Sequence, residues 1–210
     1  MNRADSITDT LRQDILTGRF EPGDRLLEVA LSEQYAVGRA AIRSALVELT
    51  SEGLVERKAN RGATVRRISV TEAIQITEAR AVLESLIAGQ AALHATEADH
   101  AELRQIIVDM EAAAGDSQAY SDLNRLLHRR LREMSGHDVA SQLVANLRDR
   151  AAHHQYRLAL MPGRPNESLG QHRTIVEAVC AGDEAGASQA MHDHLHSVID
   201  VLSRWGDAPR

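Results

Sequence analysis

Residues 26–52 of the chain, LLEVALSEQYAVGRAAIRSALVELTSE, have the pattern of two short helices separated by a tight break. Apolar residues recur at helical spacing on both sides of the break at residues 36–38. Arg39 and Arg43 lie four residues apart and therefore share one face of the second helix. The opposite face is apolar and consists of Ile42, Leu46 and Leu49. This pattern predicts a helix-turn-helix whose second helix enters the major groove of DNA.

The residues around this motif complete a winged helix-turn-helix. Residues 5–17 form an amphipathic helix, and a Pro-Gly turn follows at residues 20–24. After the second helix of the motif, residues 54–58 and 63–67 have the composition of strands. The segment that joins them, residues 59–62, contains Asn and Gly, which tolerate positive φ. We therefore expect a β-hairpin whose basic tip, Arg61, contacts backbone phosphate or the minor groove.

Everything after residue 68 is expected to be helical. Ser69 and Glu72 form an S-x-x-E capping box, so a new helix and a new domain are predicted to begin there. The predicted helical spans are 70–93, 97–114, 117–135, 138–160, 166–181 and 184–204. The fold class is therefore mainly α: a winged helix-turn-helix of three helices and a β-hairpin in residues 1–68, followed by an all-α helical bundle in residues 69–210.

Composition restricts the compartment and the partners. No apolar run approaches the length of about 18 residues that a membrane helix needs, and the first residues lack the apolar core of a signal peptide. The single cysteine, Cys180, fits a reducing cytoplasm. The net charge is −6, yet residues 39–67 carry seven Lys and Arg against three Asp and Glu. This basic segment is sufficient for phosphate contact, although ordinary surface charge also explains it.

Three of the ten histidines are predicted to point into the helical bundle: His128, His172 and His194. Asn124 lies one helical turn before His128 and shares its face. A buried imidazole needs a hydrogen-bond partner or a metal ion. Three imidazoles from three helices would suit Zn²⁺, Ni²⁺ or a similar divalent ion. The alternative is three unrelated core histidines, each with a local hydrogen bond.

The motifs, taken in order, resemble the GntR family of bacterial transcription regulators, in its FadR-type subfamily with an FCD effector domain. The winged-helix part of the resemblance is DILTGRFEPGDRLLEVALSEQYAVGRAAIRSALVELTSEGLVERKANRGATV. In the helical part, EARAVLES, NRLLH, QHRTIVEAVCAGD and MHDHL resemble FCD motifs. The resemblance covers nearly the whole chain.

This resemblance implies a cytoplasmic homodimer that binds a pseudo-palindromic DNA operator and acts as a repressor. Arg39 and Arg43 match the family's base- and phosphate-contacting arginines, and Arg61 matches the wing tip. Gly38 and Ala40 lie in the same contact region but depart from the family's Ser and Thr, which removes hydroxyl contacts to phosphate. We therefore expect a different operator or a lower affinity.

The resemblance also implies a metal site of Asn124, His128, His172 and His194 beside a pocket for a small carboxylate effector. These four ligands are neutral, so we hypothesise that an anionic effector supplies the missing negative charge. Arg80 is the predicted partner of the effector carboxylate. An ion pair with Glu84, one turn further along the helix, is the alternative role for Arg80.

Two alternative functions remain open at this point. In a metal-sensing regulator, the ion itself would be the signal. In a metal-dependent hydrolase, a three-His ion with an open position would activate water. No general base is evident beside the histidines, and a winged helix has no role in a hydrolase, so the chain is predicted not to be an enzyme.

Overall fold

The computed structural model describes residues 7–58, 62–113, 115–151 and 163–206. These residues form two compact units, and the chain passes from the first to the second between Ser69 and Val70. A short segment that begins at Arg148 belongs with the first unit. Helices dominate, and one small sheet lies in the first unit, which confirms the predicted fold class.

The first unit contains three helices and a three-stranded antiparallel sheet. The helices are α1 (Ile7–Leu16), α2 (Glu28–Gln34) and α3 (Arg39–Ser51), and the strands are β1 (Arg25–Leu26), β2 (Val55–Lys58) and β3 (Gly62–Val65). The strand order is β1-β3-β2. The α2 and α3 helices and the hairpin of β2 and β3 confirm the winged helix-turn-helix pattern. The hairpin tip, residues 59–61, lies outside the described residues.

Two details of the sheet differ from the sequence prediction. The β3 strand ends at Val65, and the backbone N–H of Arg66 instead donates to the carbonyl of Leu54 at 2.9 Å. The short strand β1 was not predicted. It forms because Gly23, at φ 99°, turns the chain so that its N–H donates to the carbonyl of Val65 at 2.8 Å. Strand β1 then continues the ladder, with Arg25 opposite Thr64.

The core of the first unit confirms the predicted apolar face of α3. Ile42, Leu46 and Leu49 are fully buried, together with Leu11 of α1 and Leu26 of β1. Packing of α3 between the other helices and the sheet keeps its opposite face in solvent. Burial of this apolar stripe is the main contribution to holding α3 in place, because short helices gain little stability from propensity alone.

The break between α2 and α3 is held by local hydrogen bonds and one unusual backbone angle. Ala36 adopts φ 52°, a conformation that non-glycine residues rarely occupy. Around it, the Ser32 hydroxyl donates to the Val37 carbonyl at 2.6 Å, and the Val37 N–H donates to the Ser32 carbonyl at 3.2 Å. The turn is therefore tightly closed, which sets the angle at which α3 leaves α2.

The second unit is a helical bundle. Its helices are α4 (Val70–His94), α5 (Glu97–Ala112), α6 (Ser117–Met134), α7 (Asp138–Arg150), α8 (Arg164–Cys180) and α9 (Glu184–Gly206). The long α4 packs against α6, α8 and α9, so it forms the centre of the bundle. None of the helices within the described ranges is long and apolar enough to cross a membrane.

Most predicted helical spans are confirmed within a few residues. The prediction of helix at residues 138–160 holds up to Arg150, and residues 152–160 lie outside the described residues. Helix α8 begins at Arg164, two residues before the predicted start. The sequence prediction placed the start too late because residues 162–165, which include two prolines, have the composition of a break between helices. Proline is in fact favoured in the first turn of a helix, where its missing N–H has no intrahelical partner.

Candidate functional sites

The first candidate site is the exposed beginning of α3. Gly38 is the N-cap residue, with extended backbone angles and no side-chain cap. Gly38, Arg39, Ala40 and Arg43 are all exposed, while Ile42 between them is buried. These four predicted contact residues therefore lie on the solvent side of a helix that is anchored from behind. A helix N-terminus that projects from a compact support in this way is how helix-turn-helix proteins present side chains to base edges.

An acidic residue lies among the basic side chains of this surface. Glu28 of α2 accepts hydrogen bonds from Nε of Arg43 at 3.1 Å and from Nη2 of Arg43 at 2.9 Å. Arg57 of β2 is 3.6 Å from the same carboxylate. The hydrogen bond from Arg43 lowers the pKa of Glu28, and the charges of Arg43, Arg57 and Arg39 act in the same direction. Glu28 is therefore ionised and orients the Arg43 side chain.

Apolar side chains accompany this basic surface. Val47, one turn after Arg43, is 53% exposed, and Leu27 beside Glu28 is equally exposed. Exposed apolar groups on a reading helix suit the methyl group of thymine. Arg61 lies outside the described residues, so its role at the wing tip stays a prediction.

The second candidate site is a cluster of three histidines inside the bundle. His128 of α6, His172 of α8 and His194 of α9 are each at most 4% exposed. One ligating nitrogen of each lies within 4.8 Å of those of the other two. Their ring centroids are 4.5 Å apart for His172 and His194, and 5.6 Å apart for the other two pairs. The structure therefore brings together the three histidines that the sequence predicted to point inward.

Each imidazole of the cluster is oriented through its Nδ1 atom. His128 Nδ1 is 2.6 Å from Oε2 of Glu84, and His194 Nδ1 is 2.9 Å from Oε1 of Gln171. His172 Nδ1 is 3.5 Å from Oγ of Ser168. A carboxylate or amide oxygen accepts only, so His128 and His194 carry their proton on Nδ1. This arrangement is typical of metal-binding histidines, which donate from one nitrogen and ligate through the other.

Burial keeps His194 in its uncharged form. Desolvation lowers the pKa of His194 well below its ordinary value, and the neighbouring His172 and His128 lower it further. Neutral imidazole is the form that binds a metal ion. The donor set of this site therefore fits a divalent cation with an affinity for nitrogen ligands.

Asn124 provides a further oxygen atom on the same helix face as His128. Its Oδ1 atom is buried and has no hydrogen-bond partner among the described residues. Buried polar atoms without a partner are rare, and a bound ion or water is a common reason for them. The position fits the predicted role of Asn124 as the fourth ligand, which stays a prediction.

Arg80 is engaged in an ion pair. Its Nε atom donates to Oε1 of Glu84 at 2.7 Å, and both side chains are almost completely buried. This contact is the alternative that the sequence left open for Arg80. Glu84 therefore bridges Arg80 and His128, using one carboxylate oxygen for each.

Sequence reasoning missed three residues that support the histidines. Glu84 was considered only as a partner of Arg80, and Ser168 and Gln171 were not considered at all. Ser168 lies four residues before His172, a spacing that places both on one helix face. Gln171 carried no such signal, because its partner His194 belongs to a different helix.

A winged helix-turn-helix with a basic reading helix, followed by a helical bundle with a buried cluster of histidines, defines a DNA-binding transcription regulator. Comparison with known proteins agrees. Residues 3–65 match the bacterial regulatory proteins of the gntR family, and residues 75–197 match the FCD domain. The chain belongs to the GntR family of DNA-binding transcription regulators and carries an FCD domain. Because this family consists of transcription regulators, the hydrolase alternative is set aside.

Relatives and solved structures point the same way. The chain is 28% identical to the HTH-type transcriptional repressor GlaR of Escherichia coli (strain K12), covering 92% of this chain and 93% of that protein. It is 29% identical to the HTH-type transcriptional regulator LutR of Bacillus subtilis (strain 168), covering 91% and 97%. The solved structure of E. coli McbR/YncC shares the fold, with a TM-score of 0.81 at 21% identity over 94% of this chain and 95% of that one.

Proposed function

We propose that this regulator is a homodimeric repressor of the FadR type whose bundle binds a divalent metal ion and a small carboxylate effector. In this proposal residues 1–68 read a pseudo-palindromic operator and residues 69–210 form the sensor and dimerisation domain. The convergence of three buried histidines carries the proposal. The metal would be Zn²⁺, Ni²⁺ or a similar ion.

On the DNA side, the proposal assigns base and phosphate contacts to Arg39 and Arg43, with Gly38 and Ala40 allowing a close approach of the backbone. Arg61 is proposed to contact the duplex from the wing. This assignment is supported by the exposure of the four residues at the beginning of α3, namely Gly38, Arg39, Ala40 and Arg43. A dimer reads a pseudo-palindrome because its two reading helices are related by a two-fold axis.

On the sensor side, His128, His172, His194 and Asn124 would hold the metal ion. When bound, the ion would supply a positive charge that attracts an anionic ligand. All four protein ligands are neutral, so the charge of a dication would remain uncompensated in a buried site. A carboxylate effector would compensate it. The sequence assigned that carboxylate to Arg80, but the Nε atom of Arg80 is already engaged by Glu84.

An exposed apolar stripe on α4 supports a dimer. Val82, Leu86 and Leu93 are 71%, 42% and 53% exposed. Their spacing places them on one face of the helix. Apolar side chains aligned in this way on a soluble surface are typical of a protein contact. A second copy of this chain is the proposed occupant, because a two-fold partner would also supply the second reading helix.

The test is selection of genomic DNA fragments by the purified full-length protein, with Arg43→Ala in parallel and with Zn²⁺ either added or chelated. The proposal expects the wild type to enrich a palindrome that Arg43→Ala does not enrich. Release of the selected DNA by a small carboxylate, only in the presence of metal, would support the sensor assignment. Binding that depends on metal alone would favour a metal-sensing regulator. No enrichment under any condition would contradict the operator-binding proposal.

A further inference from the structure

Polar side chains continue away from the histidine cluster along the inner faces of two helices. On α8, Arg164, Ser168 and His172 follow at intervals of four residues, and on α6 Tyr120, Asn124 and His128 do the same. Residues at this spacing lie on one helix face. Each stripe therefore ends in a histidine of the cluster. About two turns away, the other end of the stripe is Arg164 on α8 and Tyr120 on α6.

Arg164 is a buried cation with an unused donor. Only 7% of it is exposed. Its Nη1 atom donates to Oγ of Ser197 at 2.7 Å and lies 3.2 Å from Oε2 of Glu167. Its Nη2 atom is buried and has no hydrogen-bond partner among the described residues. A buried guanidinium donor without an acceptor is unfavourable, so a site of this kind is built for an anionic oxygen that is bound only part of the time.

Two further buried polar groups lie on the facing stripe of α6. Oδ1 of Asn124 forms no hydrogen bond with any described residue, and the hydroxyl of Tyr120, which is only 4% exposed, has Ser168 of α8 as a polar neighbour. Burial raises the pKa of Tyr120, whereas a hydrogen bond with Ser168 and the positive charge of Arg164 oppose that rise. The Tyr120 hydroxyl is therefore a neutral donor beside a cation.

The same guanidinium connects this region to the histidines. Ser197, the hydrogen-bond partner of Arg164, lies three residues after His194 on α9. Arg80 differs, because its charge is balanced by the buried carboxylate of Glu84. Of these two buried arginines, Arg164 is the one whose Nη2 donor is left for a ligand.

We propose that Arg164, assisted by the Tyr120 hydroxyl, is the anchor for the carboxylate of the effector, and that Arg80 instead has a structural role in orienting Glu84. This inference rests on the proposed sensor function. A carboxylate suits the position because it accepts from a guanidinium and a phenol at once. A ligand of at least two functional groups would reach from Arg164 towards the metal-binding histidines.

The experiment uses the full-length protein loaded with Co²⁺, whose visible absorption reports the metal site independently of any effector. Acetate, lactate, succinate, citrate and inorganic phosphate are titrated by calorimetry into the wild type and into Arg164→Gln. Arg80→Gln tests the competing arginine. Arg173→Gln is the matched control, since Arg173 lies on the same helix but is exposed and pairs with Glu111 at 2.7 Å.

The expected result is that a carboxylate binds the wild type and Arg173→Gln equally, and that Arg164→Gln weakens it about 10- to 100-fold while the Co²⁺ spectrum is unchanged. The dissociation constant for Arg80→Gln should change much less. As a second readout, the carboxylate should raise the unfolding temperature of the wild type but not that of Arg164→Met.

Two results would overturn the inference and distinguish it from the proposed function. If the carboxylate binds Arg164→Gln as tightly as the wild type, the anchor assignment is wrong and the effector proposal stands. A second outcome is that Co²⁺ binds the wild type but none of the four carboxylates does, whether or not phosphate binds. The assignment of a carboxylate effector then fails together with the anchor assignment. Failure of Co²⁺ to bind would contradict the proposed metal site. In that case Arg164 would be tested separately, by comparing carboxylate binding to the metal-free wild type and to metal-free Arg164→Gln.

Discussion

Glu28 binds Arg43 along one edge of the guanidinium, through Nε and Nη2. These hydrogen bonds do not use the end of the guanidinium that is formed by Nη1 and the second N–H of Nη2. Guanine presents two acceptors, O6 and N7, to the same kind of paired donor edge in the major groove. Glu28 therefore holds Arg43 in an orientation suited to a base contact. The same carboxylate adds one negative charge to a surface that must approach phosphate, which weakens the electrostatic attraction to DNA.

The first prediction concerns this carboxylate. Glu28→Gln should bind non-specific DNA more tightly, with a salt dependence steeper by about one unit of slope, since one negative charge is removed from the interface. Discrimination between the operator and non-specific DNA should fall, because Arg43 loses its orienting partner. Fluorescence anisotropy at several salt concentrations would measure both effects.

Glu33→Gln is the control for this prediction, since Glu33 is exposed on the same helix and the charge change is identical. If the two variants lose discrimination equally, Glu28 acts only through net charge and not by positioning Arg43.

The second prediction concerns the strained turn at Ala36. Because its φ of 52° is unfavourable for a side chain with Cβ, Ala36→Gly should stabilise the turn by about 0.5–1 kcal/mol, after the greater chain entropy of glycine is subtracted. Amide hydrogen exchange of α3 in the full-length protein would detect the slower opening. Ala30→Gly, in the exposed middle of α2, should do the opposite and destabilise by about 1 kcal/mol. Faster exchange in Ala36→Gly would contradict the prediction.

The third prediction concerns the support of the metal-binding histidines. Glu84→Gln retains the shape of the side chain but weakens the acceptor for Nδ1 of His128. We expect the affinity for Co²⁺ or Zn²⁺ to fall about 10- to 100-fold, as is usual when the partner of a ligating histidine is changed. Competition with a chromophoric chelator would measure it. Glu78→Gln, at an exposed position of the same helix, should have no effect. An unchanged affinity in a folded Glu84→Gln protein would exclude this positioning role.

The fourth prediction is a pH dependence of stability. Burial and a hydrogen bond to Asp14 raise the pKa of Tyr35 to about 12, above its ordinary value near 10. The folded state therefore retains this proton while the unfolded state loses it, so the contribution of Tyr35 is complete below pH 10 and disappears between pH 10 and pH 12. Solvent screens this partly exposed pair, and we expect about 1 kcal/mol.

Tyr35→Phe provides the measurement for this pH dependence. Below pH 10 the variant should be less stable than the wild type by that amount in denaturant unfolding. The difference should vanish by about pH 12, once the wild-type phenol is ionised. A difference that stays constant from pH 8 to pH 12 would show that folding does not raise the pKa of Tyr35.

Much of the fold could be predicted from the sequence because its signals are local. The helical spacing of Ile42, Leu46 and Leu49 identifies the buried face of α3, and glycines such as Gly38 mark helix ends. The inward direction of His172 and His194 also follows from helical periodicity, since each lies on the apolar face of its helix. These properties depend on neighbours within about two turns of the chain.

Contacts between distant segments were decided only by the tertiary structure. Strand β1 is two residues long and exists because β3 is there to pair with it. The sequence left Arg80 with two roles, and its buried pairing with Glu84, together with the Glu84–His128 contact, required α4 and α6 to pack together. The unused donor of Arg164 was likewise invisible in the sequence. Burial and the absence of an acceptor are properties of the packed bundle, whereas periodicity is a property of the chain itself.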